Sequence, residues 1–205
     1  LSEFDGRLRK SDYSVVPITW ETACRLVTRD HYARGGSNSA TYTDGLILKA
    51  APVNLLGVAW WIPPTRDAAE ATWDGDFREV LALSRFIIVE GVPKNAATFL
   101  LARSVQRIRR DGVYRCLVSY ADEAAGHVGT MYRAAGWEYL GLTASEPRFL
   151  DSNGRQIARK AGGHTRTRAE MEALGYVMVG RSRKHKFRLV LPAPKITRIR
   201  EGALL

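Results

Sequence analysis

Stretches of strand-like alternation and of helical periodicity follow one another along the chain, separated by glycine and proline, and their order is the first guide to the fold. Thr19, Glu21 and Thr22 open a helix expected over residues 19–33, with Trp20, Cys24, Val27 and Tyr32 tending to one face. Gly35-Gly36-Ser37-Asn38-Ser39 ends it in a polar loop. Residues 41–49 and 55–62 read as two strands joined through Pro52-Val53-Asn54, and Pro63-Pro64 stops the second. Residues 65–78, rich in charge and small side chains, read as a loop, and residues 80–89 as a third strand. Pro93-Lys94-Asn95 makes a turn, with Asn95 placed to cap a helix over residues 96–110 whose apolar face carries Phe99, Leu100, Val105 and Ile108.

After Gly112 the pattern gives a strand over residues 114–120, a polar turn, a short helix carrying Tyr132, a Gly136-Trp137 stop and a further strand. Strand, helix and strand without a hairpin turn favour a parallel or mixed sheet with a covering helix. Residues 147–150 and 156–159 flank Asp151-Ser152-Asn153-Gly154, a hairpin signal because Asn-Gly tolerates positive φ. Thr167 and Glu170 have capping-box spacing ahead of Met171, Leu174 and a terminating Gly175. Residues 186–191 form a last strand, stopped by Pro192 and Pro194. The class is α/β. Residues 1–16 read as a polar, loosely held arm, 17–192 as one domain with 155–192 a basic β/α extension, and 193–205 as a basic tail.

Composition narrows the function. Hydrophobic residues make up 45% and charged residues 25%, as in an ordinary globular protein. The sequence has no apolar run long enough to span a membrane and no signal-peptide pattern at its start, so a soluble, membrane-free protein is expected. Cys24 and Cys116 lie far apart without zinc spacing and read as free thiols in a reducing compartment. The formal net charge is +10, and the C-terminal part is the most basic. Arg159, Lys160, Arg166, Arg181, Arg183, Lys184 and Lys186 lie there, opposed between residues 155 and 200 only by Glu170 and Glu172. Clustered cations of this kind suit a polyanion such as nucleic acid.

The segment Leu117–Gly141 concentrates usable side chains: Ser119, Asp122, His127 and Tyr132. Ser119 and Asp122 fall at the C-terminal end of a strand, the usual place for a ligand crevice in such sheets. Asp122 can also cap the following helix, and Gly126 and Gly129 allow close backbone approach around His127.

This order of elements, with Tyr132-Arg133-Ala134-Ala135-Gly136-Trp137, resembles the GNAT N-acyltransferases. The resemblance implies a mixed sheet that splays centrally, flanked by helices, with acyl-CoA (acetyl-CoA) in the wedge. The pantetheine arm would lie along the strand that includes Arg85, Phe86 and Ile87, and the pyrophosphate at the turn from Val92 to Ala97, near Lys94 and Asn95. That turn lacks the family's glycine-rich pattern and Pro93 removes one donor, which leaves Lys94 as a compensating charge. His127 and Gly129 are further candidates for cofactor contact, and Tyr132 matches the family's general acid.

A second resemblance is closer. His31-Tyr32-Ala33-Arg34, Leu83-Ser84-Arg85, Ser119-Tyr120-Ala121-Asp122, Gly126-His127-Val128-Gly129, Tyr132, Trp137 and Lys184-His185-Lys186-Phe187 are similar, in order, to the bacteriophage Mom proteins. That family converts adenine in phage DNA to N6-carbamoylmethyladenine, which blocks host restriction enzymes. The resemblance implies double-stranded DNA as partner and the cytoplasm of an infected bacterium as setting. Its target base must be flipped out of the stack to be reached. Asp122, Tyr132, Ser119, His31 and Tyr32 become the candidate catalytic residues, and Arg34 joins the basic set as a DNA contact. Imidazole, phenolate and carboxylate together suit iron, so His31, Tyr32 and Asp122 form a candidate metal set. Two alternatives stay open: an acyl-CoA-dependent N-acyltransferase acting on a small amine or protein, and a catalytically idle DNA-binding module.

Overall fold

The computed structural model describes residues 6–30, 39–161 and 163–193. Along the chain the elements are β1 (Tyr13–Pro17), α1 (Trp20–Asp30), β2 (Tyr42–Leu48), β3 (Ala51–Ile62), α2 (Arg66–Glu70), β4 (Val80–Ile88), α3 (Ala96–Asp111), β5 (Cys116–Asp122), α4 (Thr130–Ala134), β6 (Glu138–Leu142), β7 (Glu146–Leu150), β8 (Gln156–Ile157), β9 (Lys160–Ala161), β10 (His164–Thr165), α5 (Arg168–Ala173), β11 (Val177–Ser182) and β12 (Lys184–Val190). Short 3₁₀ turns at Phe77–Glu79 and Glu123–Ala125 precede β4 and follow β5.

Seven strands form one mixed sheet in the order β1-β2-β3-β4-β5-β12-β6, and a three-stranded sheet pairs β11, β7 and β8. Among the described strands only β4 and β5 pair in parallel. That is the geometry expected when a helix, here α3, carries the chain from one strand back to its neighbour. The helices cover both faces. Leu100, Leu101, Val105 and Ile108 of α3 pack with Leu46, Trp61, Leu81 and Leu117. On the other face Ala23, Leu26 and Val27 of α1 meet Val58, Trp60 and Ile87. Ala69 of α2 packs with Val80, Ala82, Cys116 and Val118 on that same face. Burying each large apolar side chain contributes about 1.5–3 kcal/mol, so the sheet is held from both sides.

The α/β class and the sites of β4, α3, β5 and the Tyr132 helix agree with the sequence pattern. Several details differ. The stretch read as a polar arm contains β1, which pairs with β2 from Tyr13↔Leu48 to Pro17↔Asp44, and Leu8 and Tyr13 are buried. β3 begins at Ala51, so Pro52-Val53-Asn54 lies inside it, beside register shifts against β2 that accommodate the proline. The 65–78 loop contains α2. The 155–192 segment is not simply appended: β12 inserts between β5 and β6 in the main sheet. β11 had no clear pattern in sequence, since its side chains are mostly exposed. The hairpin at Asp151–Gly154 and the capping box of Thr167 and Glu170 are both present. Residues 31–33 of the expected first helix and residues 194–205 of the tail lie outside the described residues.

Candidate active site: a splayed wedge between two parallel strands

The parallel ladder is short. β4 and β5 pair from Val80↔Cys116 to Leu83↔Ser119, after which β4 is paired only with β3 and β5 only with β12. The parting coincides with a bulge. Trp61 faces Leu83 and Trp60 faces Arg85, so Ser84 has no opposite residue. The extra residue changes which side chains share a face. Leu83 and Phe86 both pack toward the α3 layer, whereas Ile87 joins the α1 layer. Arg85, opposite Trp60, has the parity of the α1 side. Its guanidinium Nη1 donates to the Ser84 carbonyl at 2.8 Å and to the Ser84 hydroxyl at 3.3 Å.

A cavity of about 300 Å³ opens where the strands separate, lined by Leu83, Ser84 and Phe86 of β4, Tyr120 and Ala121 of β5, and Gly126–Tyr132. Tyr132 is part of its lining. The side chain is 7% exposed, its ring sits 5.3 Å from Trp137 and 5.1 Å from Phe187 (centroid distances), and its hydroxyl accepts a hydrogen bond from the buried Ser119 hydroxyl at 2.7 Å. The polar turn before α4 is fixed by its backbone. Asp122 Oδ1 accepts from the Ala124 N–H at 2.9 Å, and the His127 N–H donates to the Asp122 carbonyl at 3.1 Å. Gly129 has φ +74°, and a Cβ there would lie 2.1 Å from Phe187 Cε2. That position needs glycine for packing whatever else it does.

The sequence cluster therefore separates into two parts. Ser119 and Tyr132 meet on the α4 side of the sheet. Asp122, three positions along β5, has the opposite parity. Asp122 is 3% exposed, its carboxylate also accepts from the Ser182 hydroxyl at 2.9 Å, and it is not among the described residues that line the cavity. Arg85 and Asp122 thus share the sheet face opposite the tyrosine. His127 is exposed on the cavity rim. His31, Tyr32 and Arg34 lie outside the described residues, and with them two members of the candidate iron set. Among the described residues no group of three or more His, Cys, Asp or Glu side chains is arranged to hold a metal.

The turn expected to meet a pyrophosphate is built differently from a glycine-rich loop. Asn95 makes no side-chain cap to α3, because its Oδ1 accepts from the Leu8 N–H at 2.6 Å. The Ala96 N–H donates to the Pro93 carbonyl at 2.9 Å, and Lys94 is exposed. Many of the C-terminal cations are held by the protein itself. Lys186 Nζ donates to the Ala71 carbonyl at 3.0 Å, and burial holds its pKa below the usual lysine value. Arg181 bonds to the Ser145 hydroxyl at 3.2 Å and to the Ser145 carbonyl. Arg159 Nε donates to the Arg166 carbonyl at 2.9 Å, and Arg183 lies 3.6 Å from Glu123. Arg166 is half-buried, whereas Lys160 and Lys184 are exposed.

Two networks had no signature in the sequence. Asp44 is buried in β2, where Arg107 Nη1 reaches its Oδ1 at 2.6 Å and the Ser104 hydroxyl reaches Oδ2 at 2.5 Å. The Trp61 indole N–H in turn donates to Ser104 at 2.7 Å. Beside the wedge, His185 Nδ1 lies 2.9 Å from the Tyr139 hydroxyl, and its Nε2 lies 3.7 Å from Glu123. A lone Asp within an apolar strand was the only available hint of the first; the second joins residues far apart in sequence.

The parted strands with a helix crossover and a tyrosine helix define a GNAT-type N-acetyltransferase fold. Arabidopsis thaliana NAA60, solved with a bisubstrate analogue, superposes with a TM-score of 0.56 at 11% identity, over 89% of this chain and 99% of that one. The ribosomal-protein-S18-alanine N-acetyltransferase of Escherichia coli gives 0.53 at 9% identity, over 90% and 97%. The acetyltransferase yncA of Salmonella typhimurium, solved with its cofactor acetyl-CoA, gives 0.50 at 12% identity, over 90% and 96%. No curated protein matches the chain significantly in sequence. The profile of the Mom protein family matches residues 12–202, and the chain belongs to that family.

Proposed function

We propose that this protein is a transferase that modifies adenine at N6 in double-stranded DNA, forming N6-carbamoylmethyladenine and so protecting phage DNA from restriction in the cytoplasm of the infected host. The observation that carries this reading is membership of the Mom family across residues 12–202, on a fold with a wedge between parallel strands. The wedge suits the arm of acetyl-CoA. Beyond Leu83 the β5-facing side of β4 is unpaired among the described strands, and a cavity of about 300 Å³ lies beside it. The Val92–Ala97 turn fits the pyrophosphate less well, since Pro93 has no N–H and that of Ala96 is engaged. When bound, acetyl-CoA would supply an activated two-carbon unit. The carbamoylmethyl group joins N6 through a methylene, so the overall change is more than transfer of an acetyl group.

The residues divide the remaining work by face. The Tyr132 hydroxyl, hydrogen-bonded to the buried Ser119 hydroxyl and lining the wedge cavity, is the candidate general acid there. On the opposite face Asp122, held by Ala124 and Ser182, is the candidate to orient the exocyclic amine or take its proton, a role that requires the amine to reach it from that face. Donor and base would then approach through the parted strands from opposite sides. The base must leave the stack, at a cost of a few kcal/mol that backbone contacts offset. Plasmid from a bacterium expressing the protein should resist restriction enzymes whose sites contain adenine, and Tyr132→Phe should restore cleavage. Plasmid cut as readily as that from an empty-vector strain would overturn the reading.

A further inference from the structure

Outside the wedge, a strongly charged concavity lies on the other flank of α3. A groove of about 650 Å³ runs between β1 and α3, lined by Lys10, Lys49, Arg103, Arg107 and Arg110, with Asp44 and Asp111 as its acids. Both acids are engaged. Asp44 is held by Arg107 and Ser104, and Asp111 interacts with the buried Tyr42 hydroxyl. Arg103 is turned along its helix to Gln106 and over the Phe99 ring. Lys10, Lys49 and Arg110 are exposed and make no ion pair among the described residues. Cations held at one concave surface without partners raise the local potential and favour an anionic ligand.

The groove is long and points at the site. From Phe99 to Arg110 the helix advances roughly 17 Å at about 1.5 Å per residue. Along one strand of a duplex that span reaches several successive phosphates. A nucleotide cofactor clusters its phosphates and could not neutralise charges distributed over such a length. The orientation follows from the sheet. β2 and β4 both run antiparallel to β3, so they point the same way and end together. The Lys49 N–H donates to the Asp12 carbonyl at 2.8 Å, which ties Lys10 and Lys49 to that end. The basic groove therefore opens at the same end of the sheet as the wedge.

We infer that the groove between β1 and α3 is a binding track for the phosphate backbone of one strand of duplex DNA. The inference rests on the proposed DNA substrate and locates a contact surface away from the basic C-terminal segment. Lys10, Lys49 and Arg110 contact phosphates, and the contact is indifferent to base sequence. The groove and the wedge share no lining residue, so a strand held in the groove leaves the wedge open.

The test is fluorescence anisotropy of a labelled duplex with the full chain across a salt series. It compares the wild type, the triple variant K10Q/K49Q/R110Q, and R25Q/R66Q/R78Q, which removes the same charge from exposed positions outside both the groove and the basic C-terminal segment. The groove variant should lower the slope of log affinity against log salt by about 2.7, from about 0.9 per lost phosphate contact, and weaken binding at least about ten-fold. Its acetyl-CoA affinity by calorimetry and its melting temperature should stay at wild-type values. A groove variant that loses no more than the control triple overturns the track while leaving DNA as substrate. Loss of acetyl-CoA affinity with DNA binding intact also overturns it, by assigning the groove to the cofactor. A wild type without salt-dependent DNA binding removes the DNA reading itself, and the track with it.

Discussion

The Ser119 hydroxyl donates to the Tyr132 hydroxyl at 2.7 Å, joining the last β4-paired residue of β5 to the helix that closes the wedge. Both groups are buried, so neither can exchange its partner for water without cost. Tyr132→Phe keeps the ring against Trp137 and Phe187 but strands the serine hydroxyl. It should lower stability by about 1–2 kcal/mol in denaturant unfolding. The modification rate should fall by about a hundredfold, the range for loss of a general acid. Ser119→Ala leaves the phenol in place and should cost activity much less. Equal losses in the two variants would mean that the pair, not the phenol, carries the chemistry.

Gly129 is fixed by Phe187. Gly129→Ala places a methyl within 2.1 Å of that ring and forces a side chain into φ +74°. The two effects together should destabilise the protein by about 2–4 kcal/mol. Adding Phe187→Leu should recover part of the loss, because it removes the clash and leaves the backbone strain. A double variant no more stable than Gly129→Ala would exclude the steric contact as the cause.

The first half of the fold is the part that hydrophobic pattern reveals best. β4, α3 and β5 have continuous apolar runs or a clean apolar face, and Gly112 and Gly136-Trp137 punctuate them. β1 escaped because it is short and sits among charged residues, with only Tyr13 fully buried. The insertion of β12 between β5 and β6 is a long-range pairing that no local pattern encodes. The site shows the same division. Ser119, Asp122 and Tyr132 stand out by type, yet sequence proximity suggests one cluster where strand alternation makes two. The bulge at Ser84, which decides where Arg85 lies, depends on register against β3 and is invisible in the chain.

The Asp44–Arg107 pair ties β2 to α3 beneath the basic groove. Asp44 is 2% exposed at its side chain and Arg107 is 30% exposed. Asp44→Ala leaves Ser104 and Arg107 without their acceptor and should destabilise by about 3 kcal/mol, measured by denaturant unfolding. Arg107→Ala leaves a buried carboxylate with one hydroxyl donor, and should be at least as damaging. An Arg107→Ala protein as stable as the wild type would show that Ser104 alone satisfies Asp44.

Burial raises the Cys116 thiol from an ordinary value of 9.0 to about 11. Between those values the folded protein keeps a proton that the unfolded chain gives up. Its contribution to stability is therefore complete below pH 9 and is lost as pH rises toward about 11. Cys116→Ala lacks that term. Burial also lifts Tyr42 to about 12, but both proteins share it and its effect cancels in the difference. The wild type should lose stability relative to Cys116→Ala across that alkaline window in urea unfolding series. Parallel pH profiles would show that the thiol ionises normally.

The central claim concerns adenine. DNA from a bacterium expressing the protein, digested to nucleosides and analysed by mass spectrometry, should contain an adenosine heavier by one carbamoylmethyl group. The same DNA from Tyr132→Phe and Asp122→Ala strains should contain little or none. An unmodified nucleoside profile from the wild-type strain, with the protein present and folded, would contradict the proposed activity.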